Sequence, residues 1–377
     1  MDELFEAQLR RAMGAAAYGG ADVDECRATA DRITTVDLDL WHREWMATAR
    51  RAAARGAHLH ASTYFRTAWL FLLDAPLDPR LVEAHRLEVD SFRRGTESFD
   101  RQVVEIPYQD GLTLPGYVFR PAADGQERPT MILTTGYDGT AEELWFTSGA
   151  AAVARGYNVV LFDGPGQGTM LVERGTRLRP DWENVVTPVV DFVLGLPGVD
   201  PTRIVLSGLS LGGYTAPRAA TVEHRLAACV SDCGPYDVGQ TVRSRIPGLL
   251  RGPLLGWVLR AVLRKPTAGW ALRRARLVHG ATDPVDYLRI ADDYTLRGRE
   301  HLIACPTFVC SAEGDDLSER ARELYDALIC PKEYVRFTAS QGADDHCEAL
   351  ARPLVNARVL DWLQDVLELR PAAAAAA

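Results

Sequence analysis

The stretch Arg203-Ile204-Val205-Leu206-Ser207-Gly208-Leu209-Ser210-Leu211-Gly212-Gly213 decides how this chain is read. Its opening is a short apolar run of strand character, and the Ala-containing segment after it has the length and pattern of a helix. A serine held on a tight strand-to-helix turn needs neighbours without side chains, and Gly208 and Gly212 supply them, with Gly213 in addition. Such a turn lifts the hydroxyl above the sheet edge. The helix that starts there also aims backbone N–H groups, that of Leu211 among them, at a developing oxyanion. The motif in this setting predicts a nucleophile at Ser210; the plainer alternative is a glycine-rich turn carrying an idle serine.

Working outward, apolar strand-like runs alternate with helical stretches on both sides of the motif. Strands are expected at 130–135, 158–162, 203–207 and 227–232, with helices at 141–155, 181–194 and 211–222. Residues 101–108 and 112–120 alternate about the turn dipeptide Asp110-Gly111, which predicts an antiparallel hairpin ahead of them. The alternation fails over 234–300, where an Arg-rich, Pro/Gly-punctuated and helical insertion, including 249–263 and 270–278, interrupts it. It resumes with strands at 306–311 and 333–337 and helices at 318–329 and 348–369. This βαβα pattern implies an α/β fold with a mostly parallel sheet covered on both faces.

Before the hairpin everything reads as helix. Leu38, Trp41, Trp45, Ala49 and Ala52 recur at three- and four-residue spacing up to Gly56, a second helix follows at 60–73, and a third at 79–94. Their aromatics are core by default. The expected division is thus a helical domain over 1–98, the first part of the α/β core over 99–233, the helical insertion over 234–300, the second part of the core over 301–370, and a disordered alanine tail over 371–377.

A serine hydroxyl is a weak nucleophile at neutral pH, so Ser210 requires a base oriented by an acid, in the chain order Ser, Asp or Glu, His. His346, in the loop Gly342-Ala343-Asp344-Asp345-His346-Cys347, is the histidine that lies beyond both the insertion and the last strand. The acid belongs in the loop Ala312-Glu313-Gly314-Asp315-Asp316 that follows the strand at 306–311. Asp315 is the choice there, with Asp316 and Glu313 as alternatives. The loop Gly136-Tyr137-Asp138-Gly139 is expected to bring the Tyr137 N–H to the oxyanion as its second donor, and the Tyr137 ring to the pocket. His58 and His60, Tyr64 and Trp257 are further pocket candidates, set against surface or core roles.

Composition narrows the partners. The 377 residues are 47% hydrophobic and 25% charged, with a net charge of -9, so no nucleic-acid partner is expected. No apolar stretch reaches the roughly 18 residues of a membrane span, and Asp2, Glu3 and Glu6 do not open a leader, which points to a cytoplasmic protein without a membrane partner. The seven cysteines are odd in number and sit in apolar runs, as reduced core residues do. Cys229 and Cys233 have no second ligand pair at metal spacing, so neither metal nor organic cofactor is expected.

With these pieces the sequence resembles the α/β-hydrolase fold family, and within it the branch of 2,6-dihydroxypseudooxynicotine hydrolases, fungal hydrolases that shorten a polyketide, and fermentation-respiration-switch-like esterases. The matching pieces are Trp41-x-x-x-Trp45, Tyr64-Phe65-Arg66, Gly136-Tyr137-Asp138-Gly139-Thr140-x-Glu142-Glu143, Asp163-Gly164-Pro165-Gly166-Gln167-Gly168, Arg179-Pro180-Asp181-Trp182-Glu183, Pro188-Val189-Val190-Asp191, the Ser210 motif and Gly342-x-x-x-His346-Cys347. One departure is Thr169, where such proteins often carry Glu. The resemblance implies a triad of Ser210, Asp315 and His346, a helical cap that closes a pocket over Ser210, a homodimer, and a small-molecule substrate. Its members cleave esters or carbon–carbon bonds next to a ketone. Acyl transfer or cyclisation through the same acyl-serine, and a ligand receptor on this scaffold, are the competing functions; a fluorophosphonate probe and a competing nucleophile separate them.

Overall fold

The computed structural model of the chain describes residues 2–246 and 255–368. The expected alanine tail, and the part of the insertion at 249–254, lie outside these residues. Eight strands build one sheet: β1 (Arg101–Pro107), β2 (Thr113–Phe119), β3 (Arg128–Thr134), β4 (Asn158–Phe162), β5 (Val199–Leu209), β6 (Ala228–Asp232), β7 (Thr307–Ala312) and β8 (Lys332–Phe337), in the order β1-β2-β4-β3-β5-β6-β7-β8. β1 pairs antiparallel with β2 and β2 with β4; every pairing from β4 to β8 is parallel. This is the α/β-hydrolase fold.

Local sequence explains the strands. β4 and β6 are buried along their whole length, as their continuous apolar runs require of strands covered on both faces. β1 alternates, with Val104 and Ile106 inward. The hairpin turns where Asp110 and Gly111 both take positive φ, 55° and 76°, a conformation that Asp tolerates and Gly adopts freely. The last helix begins at Arg352, not at residue 348. Cys347 and Glu348 have φ of 58° and 43°, which no right-handed helix accepts, and Pro353 fits the first turn, where its missing N–H costs nothing.

The chain divides into two compact units. The sheet unit comprises Phe99–Gly164, Pro180–Asp237 and the chain from Thr295 onward; the helical unit comprises the chain up to Ser98 with Pro165–Arg179 and Val238–Tyr294. The helical unit therefore differs from the sequence-based division, which kept the N-terminal helices apart from the insertion and placed 165–179 in the core. Its helices α1 (Glu3–Gly14), α2 (Val23–Ala30), α3 (Leu38–Ala54), α4 (His58–Trp69) and α5 (Pro79–Gly95) precede the hairpin, so α1 and α2 add to the three expected. Phe5, Trp41, Phe71 and Trp270 form one aromatic cluster, with ring centroids 4.5–5.3 Å apart, and the Trp270 Nε1–H donates to the Leu70 carbonyl at 3.1 Å. Trp270 comes from the insertion, so insertion and N-terminal helices share a core. Truncating a fully buried tryptophan such as Trp41 to alanine would cost about 3–5 kcal/mol. The segment 165–179 joins through the Leu178 N–H to the Val278 carbonyl at 2.9 Å and through Thr169, whose Oγ1 lies 3.1 Å from His85 Nε2. Such pairings span up to a hundred residues or more, which periodicity cannot register.

Candidate active site

The site is assembled at the carboxyl edge of the parallel strands, from the ends of β5, β7 and β8. Ser210 follows β5 and holds φ at 60°, the left-handed region that a non-glycine residue occupies only when the surroundings impose it. Here they do. The Ser210 N–H donates to the Asp232 carbonyl at 2.9 Å, at the end of the neighbouring β6, and the Gly213 N–H donates back to the Ser210 carbonyl at 2.8 Å. A Cβ on Gly208 would run into the Gly212 carbonyl, and one on Gly213 would lie 2.5 Å from the Gly234 Cα. The extra glycine of the motif is therefore a packing requirement against the chain leaving β6. The helix Gly212–Ala220 starts at once, and Leu211, at its N-cap, sits where backbone donors lack an acceptor within the helix.

His346 and Asp315 complete a chain of hydrogen bonds. Asp315 lies three residues beyond β7, is buried, and accepts from the Leu317 N–H at 3.0 Å through Oδ1. Its Oδ2 lies 2.7 Å from His346 Nδ1, and His346 Nε2 lies 2.9 Å from Ser210 Oγ. A carboxylate accepts only, so Nδ1 carries the proton, and Nε2 presents its lone pair to the Ser210 hydroxyl. Of the two alternative acids, Glu313 is exposed and caps the Ala339 N–H at 2.9 Å, and Asp316 is exposed. The Gly314 N–H donates to the Asp344 carbonyl at 2.8 Å, which joins the Asp315 loop to the His346 loop.

The loop after β3 reaches the same place because Thr134 pairs in register with Gly208. Gly136 then lies against Ser210, and Tyr137 follows it. The other pocket candidates belong to the helical unit. Tyr64 is fully buried, its Oη 2.8 Å from the Asp22 N–H that donates to it, so it follows the core reading and not the pocket one. His58 and His60 lie in the first turn of α4, not in a turn between helices, and His60 Nδ1 is 3.7 Å from Glu25 Oε2. Trp257 stands 74% exposed on the helix Leu255–Val262.

Sequence reasoning missed a buried charged cluster beside Ser210 and His346. Asp232, Cys233, Cys310 and Glu348 are all buried, with ligand-type atoms within 4.8 Å of one another, whereas Cys229 has no part in the group. Thiols donate to the carboxylates, Cys233 to Glu348 at 3.0 Å and Cys310 to Asp232 at 3.3 Å. Arg352 supplies the cation, 2.8 Å from Asp232 and 3.4 Å from Glu348. Burial pushes both carboxyls up, with Arg352 opposing it. The four atoms are thus satisfied by hydrogen bonds and a guanidinium. The signals were present: an Asp closing the apolar run Ala228-Cys229-Val230-Ser231, and Glu348 spaced four residues from Arg352.

Comparison with known proteins identifies the family. Residues 131–364 match the model of the alpha/beta hydrolase family, a span that opens within β3. Hydrolase acrC of Aspergillus aculeatus is 36% identical over 356 residues, covering 82% of each chain. The 20-hydroxy-prefusarin hydrolase FUS2 of Gibberella moniliformis is 37% identical over 344 residues, again 82% of each. Among solved structures, the 2,6-dihydroxy-pseudo-oxynicotine hydrolase superposes with a TM-score of 0.69 at 25% identity, over 94% of this chain and 95% of that one.

Proposed function

The chain belongs to the alpha/beta hydrolase family, and we propose that it works as a serine hydrolase that opens an ester, a lactone or a ketone-adjacent carbon–carbon bond in an aromatic or polyketide-like metabolite. The observation that carries the reading is the hydrogen-bonded chain from Ser210 Oγ through His346 to Asp315 on a left-handed serine. In it His346 Nε2 takes the hydroxyl proton as Ser210 Oγ attacks the carbonyl carbon. Asp315 holds the ring in the required tautomer and offsets the imidazolium charge. The Leu211 and Tyr137 N–H groups stabilise the oxyanion, each worth about 10²–10³ in rate. His346 then gives its proton to the leaving group. For an ester or lactone that is an alkoxide; for a carbon–carbon bond it is a carbanion, which must be held as an enolate or phenolate, so the substrate needs an acidifying carbonyl or ring beside the broken bond. Water, activated by the same imidazole, releases the acyl group.

The substrate class is supported by the relatives whose names specify one, a hydroxy-prefusarin hydrolase and a dihydroxy-pseudo-oxynicotine hydrolase. The test is Ser210→Ala in turnover of aryl esters and β-diketones and in labelling by a fluorophosphonate. Loss of both, by several orders of magnitude in a folded protein, is expected; turnover near that of the wild type would remove the reading.

A further inference from the structure

We propose that Arg352 is a positioning residue for the Ser210–His346 pair, tying the loop that carries the base to the strand end that holds the nucleophile. The inference rests on the hydrolase reading above and names a group that touches no reacting atom.

Arg352 is the first residue of the helix Arg352–Glu368 and is 3% exposed. Its guanidinium is used on every side. Nη1 donates to Asp232 Oδ2 at 2.8 Å, to the Cys347 carbonyl at 3.1 Å and to Glu348 Oε2 at 3.4 Å. Nε donates to the Thr147 carbonyl at 3.1 Å, and Nη2 to Ser148 Oγ at 3.0 Å and Asn356 Oδ1 at 3.3 Å.

Two of these contacts lead to the triad. Asp232 accepts the Ser210 N–H through its own backbone carbonyl, so the residue that fixes the serine's backbone is gripped by Arg352 through its side chain. On the other side, the Cys347 carbonyl and the Glu348 carboxylate belong to the two residues that directly follow His346. Both stand in the left-handed region, a conformation that needs an external tether. Glu348, wholly buried, receives one from Arg352 and another from the Cys233 thiol, and Cys233 is the neighbour of Asp232. The planar fork suits this task, because its donors keep a fixed mutual geometry that an ammonium on a flexible stem does not. If neutralising two buried acids were the whole role, the bond to the Cys347 carbonyl would be idle. It is that bond which sets the backbone beside His346.

The experiment uses the full chain with an aryl ester for turnover and a fluorophosphonate for Ser210. A charge-balanced variant, Arg352→Met with Asp232→Asn and Glu348→Gln, removes the tether without leaving a buried charge unpaired. Folded protein is expected, with KM within about twofold and kcat and labelling rate down about 10–100-fold, the loss that a misplacement near 1 Å brings. Arg352→Lys should recover part of kcat. Wild-type kcat and labelling in the folded variant, or a loss confined to KM, would overturn the inference. Should the triple variant not fold, Arg352→Lys decides: a lowered kcat at unchanged KM supports the tether, and a wild-type kcat overturns it. Ser210→Ala run alongside separates the two readings, since residual turnover there would remove the hydrolase reading and this inference with it. Loss in Ser210→Ala beside wild-type kinetics in the Arg352 variants removes the inference alone.

Discussion

Gly136 faces Ser210 so closely that a Cβ on it would lie 2.8 Å from the Ser210 Cβ and 3.0 Å from Oγ. The backbone of the loop after β3 therefore lies directly against the Ser210 side chain, with the Leu209 carbonyl next nearest. Gly136 is buried, so the methyl added by Gly136→Ala must displace Ser210 or its own loop. The substitution should lower both kcat and the rate of fluorophosphonate labelling by about 10–100-fold through displaced geometry. Equal labelling rates for the two proteins would show that the loop gives way at no cost.

Asp315→Asn should cost about 10³–10⁴ in kcat, since the amide can leave His346 in the wrong tautomer while its position is kept. Asp316→Asn, altering an exposed side chain one residue along, should stay within about twofold. Steady-state kinetics of the two variants measure the contrast, and the reverse ranking would move the acid to Asp316.

His279, in the helical unit, has Nδ1 3.2 Å from the Tyr294 hydroxyl oxygen, and burial lowers its pKa to about 3, with Arg274 acting in the same direction. The folded state thus binds fewer protons than the unfolded one between about pH 6.5 and 3. Stability from the neutral ring is fully present above the unfolded value and is lost as pH falls towards the folded one. By pH 5 the loss reaches at most about 2 kcal/mol, less as water reaches the ring's edge. Urea unfolding at pH 7 and pH 5 should show a smaller acid loss in His279→Gln than in the wild type; parallel losses would exclude His279 as the source.

Chelators should not alter turnover. Among the described residues, the cluster of Asp232, Cys233, Cys310 and Glu348 has the donor types of a metal site, but Arg352 already supplies the positive charge there. Activity lost to a chelator and restored by one divalent ion would place a metal in the mechanism after all.

Short acetyl esters should be poor substrates beside aryl β-diketones and large lactones, because an alkyl acetate offers neither an acidified leaving carbon nor the surface of a polyketide-sized ligand. A comparison of kcat/KM across the three classes tests this. Clear superiority of p-nitrophenyl acetate would mark a general esterase.

The order of strands and helices was legible in the chain because it is written in local periodicity: short apolar runs in β4, β6, β7 and the Ile204–Leu206 part of β5, alternation for β1, a turn dipeptide at Asp110-Gly111. The tight turn at Ser210 was legible for a related reason, since the glycines around it answer to steric demands within a few residues. Asp315 and His346 could be proposed from chain order, but which carboxyl faces His346 Nδ1 could not be read there, since three acids within four residues share one local pattern. What only the tertiary structure decided is everything built from distant partners: Gly213 against Gly234, Trp270 against Phe71, residues 165–179 packed with the helical unit, and Arg352 joined to Asp232 across 120 residues of sequence. Periodicity reports which face of an element is buried. It cannot say what is buried against it, and a buried charge such as Arg352 is stable only through partners that folding alone brings within reach.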